Sequence, residues 1–456
     1  MKEFESLGLW WIPSNPDQQV AGTITFSHEA GISLEIIGNF YDQEDYFLIN
    51  SQEIIIGITH GKLFTLMNCY FKKNRNSFPG IETQEYGVNI ALSGYHFNNL
   101  EEIKFDRVQV DFNHLKYLSP FRFSWKDDIN SNHNFTENNL SFYTLNDIKA
   151  SITKCEILFK QFITTNCQPQ EMSINKSAFI EIRLRDKESF DTINKKFISP
   201  LQSFITLASN KPNYITSLFL YLQIDGEIKE IEAIFQQSTF INHTDTFNKK
   251  DALFVLNDIK QDLSLIMQKW FNLFDLAEDI INLYFSTIYN DKLYIENKFL
   301  ALVQVLESFH RSKFDKIKYL TEEHKEKLHH ILEATPVEYK DWLEKKLQHS
   351  HEPSLDERLQ ELLQKTKEIM IPIIAVPEDF FQKVKKTRNY LTHYGDSLKD
   401  KSFSGDDLAR ATQILYFMVK ACLLSELTCT TARCEELLSR NGKYQYLKTL
   451  ASQART

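Results

Sequence analysis

The sequence predicts an α+β multidomain protein, with an antiparallel β-rich domain over residues 1–245 followed by an all-α helical bundle over 250–456. Three observations carry this. At 456 residues the chain is too long for one ordinary core. Ten of its thirteen glycines lie at or before Gly226, among short runs of β-branched and aromatic residues. After about residue 250 the apolar spacing changes from two to between three and four.

The β-rich half reads as successive hairpins. "QVAGTITFS" and "GISLEIIGNF" are joined by "HEAG", and "EIIIGIT" and "KLFTLMNCYF" by "HG", where Gly supplies the positive φ of a tight turn. "EYGVNIALSGYHF", "IKFDRVQVDF", "KCEILFKQFI" and "KSAFIEIRL" continue the pattern without intervening helices, which favours a sandwich or barrel over a parallel sheet. The Asn-rich stretch 127–139 reads as an exposed loop, and 189–207 as a lone helix broken at Pro200.

In the second half, "ALFVLNDIKQDLSLIMQKWFNLFDLAEDIINLYF" and "YIENKFLALVQVLESFHRSKF" are long amphipathic helices. Capping boxes are expected at Thr335–Glu338 and at Ser354–Glu357, and an acidic variant at Ser404–Asp407. The stretch 376–395, "VPEDFFQKVKKTRNYLTHYG", reads as one helix, with Pro377 in its first turn and Gly395 in the left-handed position that stops it.

Composition narrows the function. Charged residues make up 25% and apolar residues 42% of the chain, as in globular proteins. The net charge of −9 argues against a generally basic, nucleic-acid-coated surface. The deficit is −7 before residue 250 and −2 after it, so a local basic patch is expected in the helical half. "MKEFESLGLWW" lacks a signal-peptide core, and no apolar run is long and uncharged enough to span a bilayer, so a cytoplasmic protein is expected. The six cysteines include no C-x-x-C pair and read as reduced thiols, with no common zinc spacing. P-loop, dinucleotide-binding, serine-elbow and H-E-x-x-H motifs are absent, and no cofactor or metal is expected.

The stretch "KKTRNYLTHYG" (385–395) is where the chemistry concentrates. At about 100° per residue, Phe380, Val384 and Leu391 form a core-facing stripe. Arg388, Asn389 and His393 then project away from it. That trio suits RNA cleavage. His can give or take a proton near neutral pH, Arg can hold two phosphate oxygens, and Asn can orient a phosphate or the ring. Lys383, Lys385 and Lys386 would attract phosphate. The competing reading is a solvated helix end, which spacing alone favours. Glu307 and Arg311, four residues apart, read on their own as an intrahelical ion pair. Trp10 and Trp11 read as core anchors of the first strand rather than base-stacking platforms, and "KKNRNSFPG" (72–80) as a basic loop that solubilises a hairpin.

These segments together resemble a known family. "RNYLTH" is similar to the R-x4-6-H signature of HEPN ribonucleases, including an Asn after the Arg. "LALVQVLESFHRSKF" (300–314) resembles the preceding helix of the ApeA-like HEPN branch, and "LWWIPSNPDQQVAGTITFSHEAGISLEIIGNF" (9–40) the opening of the ApeA N-terminal domain. The resemblance implies a metal-independent endoribonuclease effector of bacterial abortive-infection anti-phage defence, cutting RNA such as tRNA. It implies catalytic roles for Arg388, Asn389 and His393, and supporting roles for Glu307, Arg311 and Tyr394. It further implies a homodimer through the HEPN domain and a β-rich half that senses a phage-derived trigger or restrains the nuclease. In a related branch an H-x-Y tyrosine is modified by an antitoxin. Here Tyr394 follows His393 directly, so that regulation is not carried over. A non-catalytic HEPN-like nucleotide- or RNA-binding module is the alternative, and a purely structural interaction protein the third reading.

Overall fold

The computed structural model describes all residues except 41–50, 76–78, 120–121, 130–134, 144–146, 169–170, 239–246, 249–251, 315–318, 428–429 and 456. The chain divides into two compact units, Met1–Lys249 with Phe254–Gln268, and Lys250–Leu253 with Lys269–Thr456.

The first unit is built on an all-antiparallel sheet. The strands of this unit are β1 (Phe4–Ile12), β2 (Asn15–Ser27), β3 (Gly31–Ile37), β4 (Ser51–Thr59), β5 (Lys62–Arg75), β6 (Thr83–Ser93), β7 (Lys104–Phe112), β8 (Arg122–Ile129), β9 (Phe135–Tyr143), β10 (Ile148–Ser151), β11 (Cys155–Gln168), β12 (Glu171–Ser189), β13 (Ile215–Ile224) and β14 (Glu227–Phe235), of which β8 and β9 form a separate two-stranded sheet. The order β6-β3-β2-β1-β4-β5 closes on itself because β5 pairs with β6, making a six-stranded barrel. On its other edge β6 pairs first with β3, through Thr83 to Val88, and then with β14, through Ile90 to Ser93. From there the sheet runs on through β13, β7, β12, β11 and β10.

Period-2 alternation fills the barrel. Ile24 and Phe26 on β2, Leu34 and Ile36 on β3, and Tyr86 and Val88 on β6 join Trp10 in one buried cluster. Trp10 is fully buried and donates its indole N–H to the Gly22 carbonyl at 2.9 Å. It lies across from Gly57, where an added Cβ would come within 2.2 Å of the indole, so only glycine leaves room for the ring. Trp11 is half-buried and packs edge-on against His96. His60 and Gly61 both take positive φ between β4 and β5, as the two-residue "HG" turn demands.

Two expectations change here. Much of the Asn-rich stretch is strand, because Arg122–Ile129 pairs with Phe135–Tyr143, while 130–134 lies outside the described residues. Part of the basic loop at 72–80 also lies outside them. The helix after β12 is not broken at Pro200. Following α1 (Leu115–Leu118), helical backbone runs through α2 (Phe190–Ile193), a π turn (Asn194–Ile198) and α3 (Ser199–Ser209). The wider π turn precedes Pro200 and accommodates a residue that has no N–H to donate.

The remaining helices are α4 (Leu256–Ile259), α5 (Leu263–Tyr289), α6 (Ile295–Lys313), α7 (Glu322–Glu333), α8 (Val337–Leu347), α9 (Leu355–Lys365), α10 (Lys367–Met370), α11 (Pro377–His393), α12 (Asp396–Lys399), α13 (Gly405–Glu426), α14 (Thr431–Ser439) and α15 (Gly442–Gln453). In the second unit α13 is the central helix, packed on α6, α9, α14 and α15. It is long and apolar enough to cross a membrane, yet 72% of its most apolar window is buried inside the protein.

Of the three capping boxes, that at Ser354 forms, with the Ser354 N–H donating to the Glu357 carboxylate at 2.7 Å. The one expected at Thr335 does not. The Thr335 hydroxyl instead donates back to the Ile331 carbonyl at 2.7 Å, and Pro336 precedes α8. At Ser404 the backbone carbonyl, rather than the side chain, receives the Asp407 N–H.

Candidate active site on helix α11

Helix α11 starts as its sequence predicts, with Pro377 in the first turn beside Glu378 and Asp379. It ends one residue earlier than expected. Tyr394, not Gly395, takes the left-handed conformation (φ 50°, ψ 35°), and Gly395 has φ −72°. The Tyr394 N–H closes the last turn on the Tyr390 carbonyl at 2.6 Å, and the two rings pack edge-on with centroids 5.7 Å apart. Both contacts hold an L-residue where glycine is the easier choice.

The buried face of α11 also differs. It is made by Phe381, Val384 and Thr387, whereas Phe380 and Leu391 are half-buried. Counting only apolar residues missed Thr387. Its hydroxyl donates to the Lys383 carbonyl at 2.7 Å and accepts the Phe403 N–H at 2.8 Å, so it is buried at no cost in hydrogen bonds. This arc ends next to Arg388. The arginine therefore lies at the seam with α6 rather than on the outward face, its side chain 40% exposed.

Arg388 sits at the end of a line of alternating charges. Its guanidinium donates to the Asn389 side-chain oxygen at 3.2 Å and lies 4.0 Å from the Glu307 carboxylate of α6. Glu307 is held more tightly by Arg311, at 3.0 Å. Arg311 in turn lies 3.6 Å from Glu352, which accepts from Arg358 of α9 at 3.0 Å. Burial alone would raise the Glu352 carboxyl, but Arg311 and Arg358 outweigh it and hold it below the usual carboxylate range.

Arg358 is nearly fully buried and also donates to the Pro353 carbonyl at 2.9 Å and to Nδ1 of His310 at 3.2 Å. An arginine can only donate. Nδ1 of His310 therefore accepts, its proton sits on Nε2, and Nε2 donates to Glu361 at 3.2 Å. Tyr319 donates to the same carboxylate at 2.8 Å, and Phe314 stacks on the His310 ring at 4.1 Å. These bonds tie α6 to α9 and fix the geometry from which Glu307 and Arg311 project.

The other motif residues are placed differently. Asn389 is half-buried beside Arg388, and His393 is exposed with no side-chain partner among the described residues. Tyr394 is 68% exposed. The three lysines diverge. Lys383 lies over the Phe403 ring at 4.6 Å, and Lys385 pairs with Asp356 at 2.7 Å. Lys386 has no partner among the described residues, and at about 100° per residue it shares a face with His393.

Two clefts open on either side of Arg388. One, of about 430 Å³, runs between α6 and α11, and the other, of about 340 Å³, lies between α11 and the start of α9. Both are walled by Glu307, Arg311 and Arg388, Asn389 borders the second, and His393 lines neither. No group of three or more His, Cys, Asp or Glu with metal-binding geometry occurs among the described residues.

The sequence singles out Arg388, Asn389, His393, Glu307 and Arg311 as candidates, and gives no signal for the neighbouring His310, Glu352, Arg358 and Glu361. His310 stands inside the quoted "LESFHR" run, and Arg358 directly follows a recognised capping box, so both read as helix grammar.

The chain matches two family models. Residues 5–270 match ApeA N-terminal domain 1, and residues 300–433 match Apea-like HEPN. No curated protein and no solved structure matches it significantly. The second match spans α6 through α13 and so contains the whole charged line, and it assigns the helical part to a nuclease-type class of defence domain. The first covers more than half of the chain, and with it the chain belongs to the ApeA family, an ApeA N-terminal domain followed by an Apea-like HEPN domain.

Proposed function

We propose that the protein is a metal-independent endoribonuclease that acts in the cytoplasm as an abortive-infection effector against phage. The observation that carries this is the motif within the Apea-like HEPN match. Among the described residues, the carboxylate nearest to the Arg388 guanidinium is 4.0 Å away and already engaged by Arg311, and five residues on His393 is exposed and has no side-chain partner. A phosphate can enter where Glu307 holds Arg388 only weakly.

In the proposed step the RNA 2′-oxygen attacks phosphorus as its proton is removed, and the P–O5′ bond breaks as the leaving oxygen is protonated. The products are a 2′,3′-cyclic phosphate and a 5′-hydroxyl. His393 moves the proton, Arg388 clamps the phosphate oxygens, and Asn389 orients Arg388 through its side-chain oxygen. Lys386 adds positive charge on the His393 face. Glu307 and Arg311 support Arg388, and a second copy paired through this domain would complete the groove. RNA of the translation machinery, tRNA included, is the substrate class, and the β-rich unit is the sensing or restraining element.

The test is expression of the wild type and of His393→Ala in phage-challenged cells. The wild type degrades RNA and reduces plaquing, and the variant does neither. Equal RNA loss in both removes the active-site assignment. A second reading, RNA binding without cleavage, is favoured by His393 lying outside both clefts that Arg388 lines. It predicts that the variant retains defence with RNA intact.

A further inference from the structure

We propose that the cleft between α6 and α11 is a nucleobase-binding subsite, in which Gln304 and Ser308 read the edge of a base whose phosphate lies on Arg388. This deepens the RNA-cleavage reading and rests on it.

The cleft is built by one stripe of α6 facing Arg388 and Thr392 of α11. The stripe changes character along the helix. Leu300 and Val303 stand toward its start, Gln304 follows, and Glu307, Ser308 and Arg311 stand toward its end. A nucleotide needs these three kinds of group: an apolar floor for the face of its ring, hydrogen-bonding groups for the ring edge, and a cation for its phosphate. The volume of about 430 Å³ falls within the range of small-ligand pockets.

The hydrogen-bonding state of the polar lining residues points the same way. Glu307 is engaged by Arg311 at 3.0 Å, and the Thr392 hydroxyl donates to the Arg388 carbonyl at 2.7 Å. The Gln304 amide and the Ser308 hydroxyl, four residues apart on the same face, have no partner among the described residues. An amide offers both donors and an acceptor, and a hydroxyl offers both, so together they can match one base edge and mismatch another. The two guanidiniums and one carboxylate of the cleft leave it with a net positive charge, which suits a neutral base attached to a phosphate.

The experiment uses the full-length His393→Ala protein, so that bound RNA stays intact if the wild type cuts. Binding of labelled RNA hexamers of A, C, G and U is measured by fluorescence anisotropy, with and without Gln304→Leu. The expected result is a spread of about tenfold among the four hexamers that collapses in Gln304→Leu, with Gln304→Asn and Ser308→Ala narrowing it less. A rank order and spread unchanged by Gln304→Leu overturns the subsite, as does a change of oligomeric state in place of a change in affinity. Absence of hexamer binding also overturns it. RNA cleavage by the wild type is scored separately, so a subsite that fails while the wild type still cuts leaves the nuclease reading standing.

Discussion

Two regions of the helical unit bury positive charge in opposite ways. Arg358, 4% exposed, has a carboxylate, a backbone carbonyl and a histidine nitrogen around its guanidinium. Lys420 on α13, 2% exposed, has no hydrogen-bond or carboxylate partner among the described residues. Its ammonium lies over the rings of Tyr416 at 4.2 Å and Phe417 at 5.3 Å. Burial, helped by the charge of Lys443, pushes its pKa from 10.5 down to about 7. The difference shows that the fold tolerates a lone buried amine in its core, yet surrounds the site-forming arginine with fixed partners. The arrangement next to Arg388 is thus one of geometry as well as of stability.

Substitution at the two positions should therefore give opposite signs. Arg358→Met removes the donor to Nδ1 of His310 and the most buried of the cations around Glu352, which keeps Arg311 and His349, and breaking a buried pair of this kind costs about 3–5 kcal/mol. Denaturant unfolding is expected to show a stability loss of that size, read as a lower midpoint with an unchanged slope. A loss within ~0.5 kcal/mol would mean that the charged line does not hold the helices.

Lys420→Met should stabilise. The unfolded chain keeps the lysine proton up to about pH 10.5, whereas the folded protein releases it near 7. The folded state is therefore penalised fully below pH 7, and the penalty fades as pH rises toward 10.5. The Tm of Lys420→Met should exceed that of the wild type most at pH 6 and converge with it near pH 10. A gap independent of pH would show that packing, not charge, separates the two.

Tyr394→Gly tests the strained end of α11. Relief of the left-handed conformation is worth about 1 kcal/mol, offset in part by loss of the Tyr390 contact. A modest rise in Tm is expected, and a clear fall would show that the ring contact outweighs the backbone. The smallest effect is expected at Lys385. Its pairing with Asp356 and the Ser354 hydroxyl outweigh burial and hold that carboxyl low, but the lysine side chain is 42% exposed. Lys385→Ala should cost less than about 1 kcal/mol and less again at high salt.

The fold class was legible because periodicity is local. The "HG" turn between β4 and β5 and the motif helix follow from spacing, glycine and proline alone. Closure of the barrel was not, since it needs β1 to pair with β4 and β3 with β6, strands that are not neighbours in the chain. At the site, Arg388, Asn389 and His393 were readable from a short motif. Their separation into a seam residue and an exposed one was not. It turns on Thr387, a polar residue buried because its hydroxyl is satisfied, which an apolar stripe does not include. The line from Arg358 to Arg388 was hidden for a similar reason. Its members come from three segments, and in sequence each reads as an ordinary surface charge.

The central claim is that Arg388 and His393 cut RNA without metal. The direct measurement is incubation of purified full-length protein with tRNA in excess EDTA, followed by mapping of the ends produced. Cleavage that leaves 2′,3′-cyclic phosphate ends and falls by at least about 10²-fold in both Arg388→Ala and His393→Ala is the predicted result. Cleavage that EDTA abolishes, or that both variants retain at the wild-type rate, would contradict it.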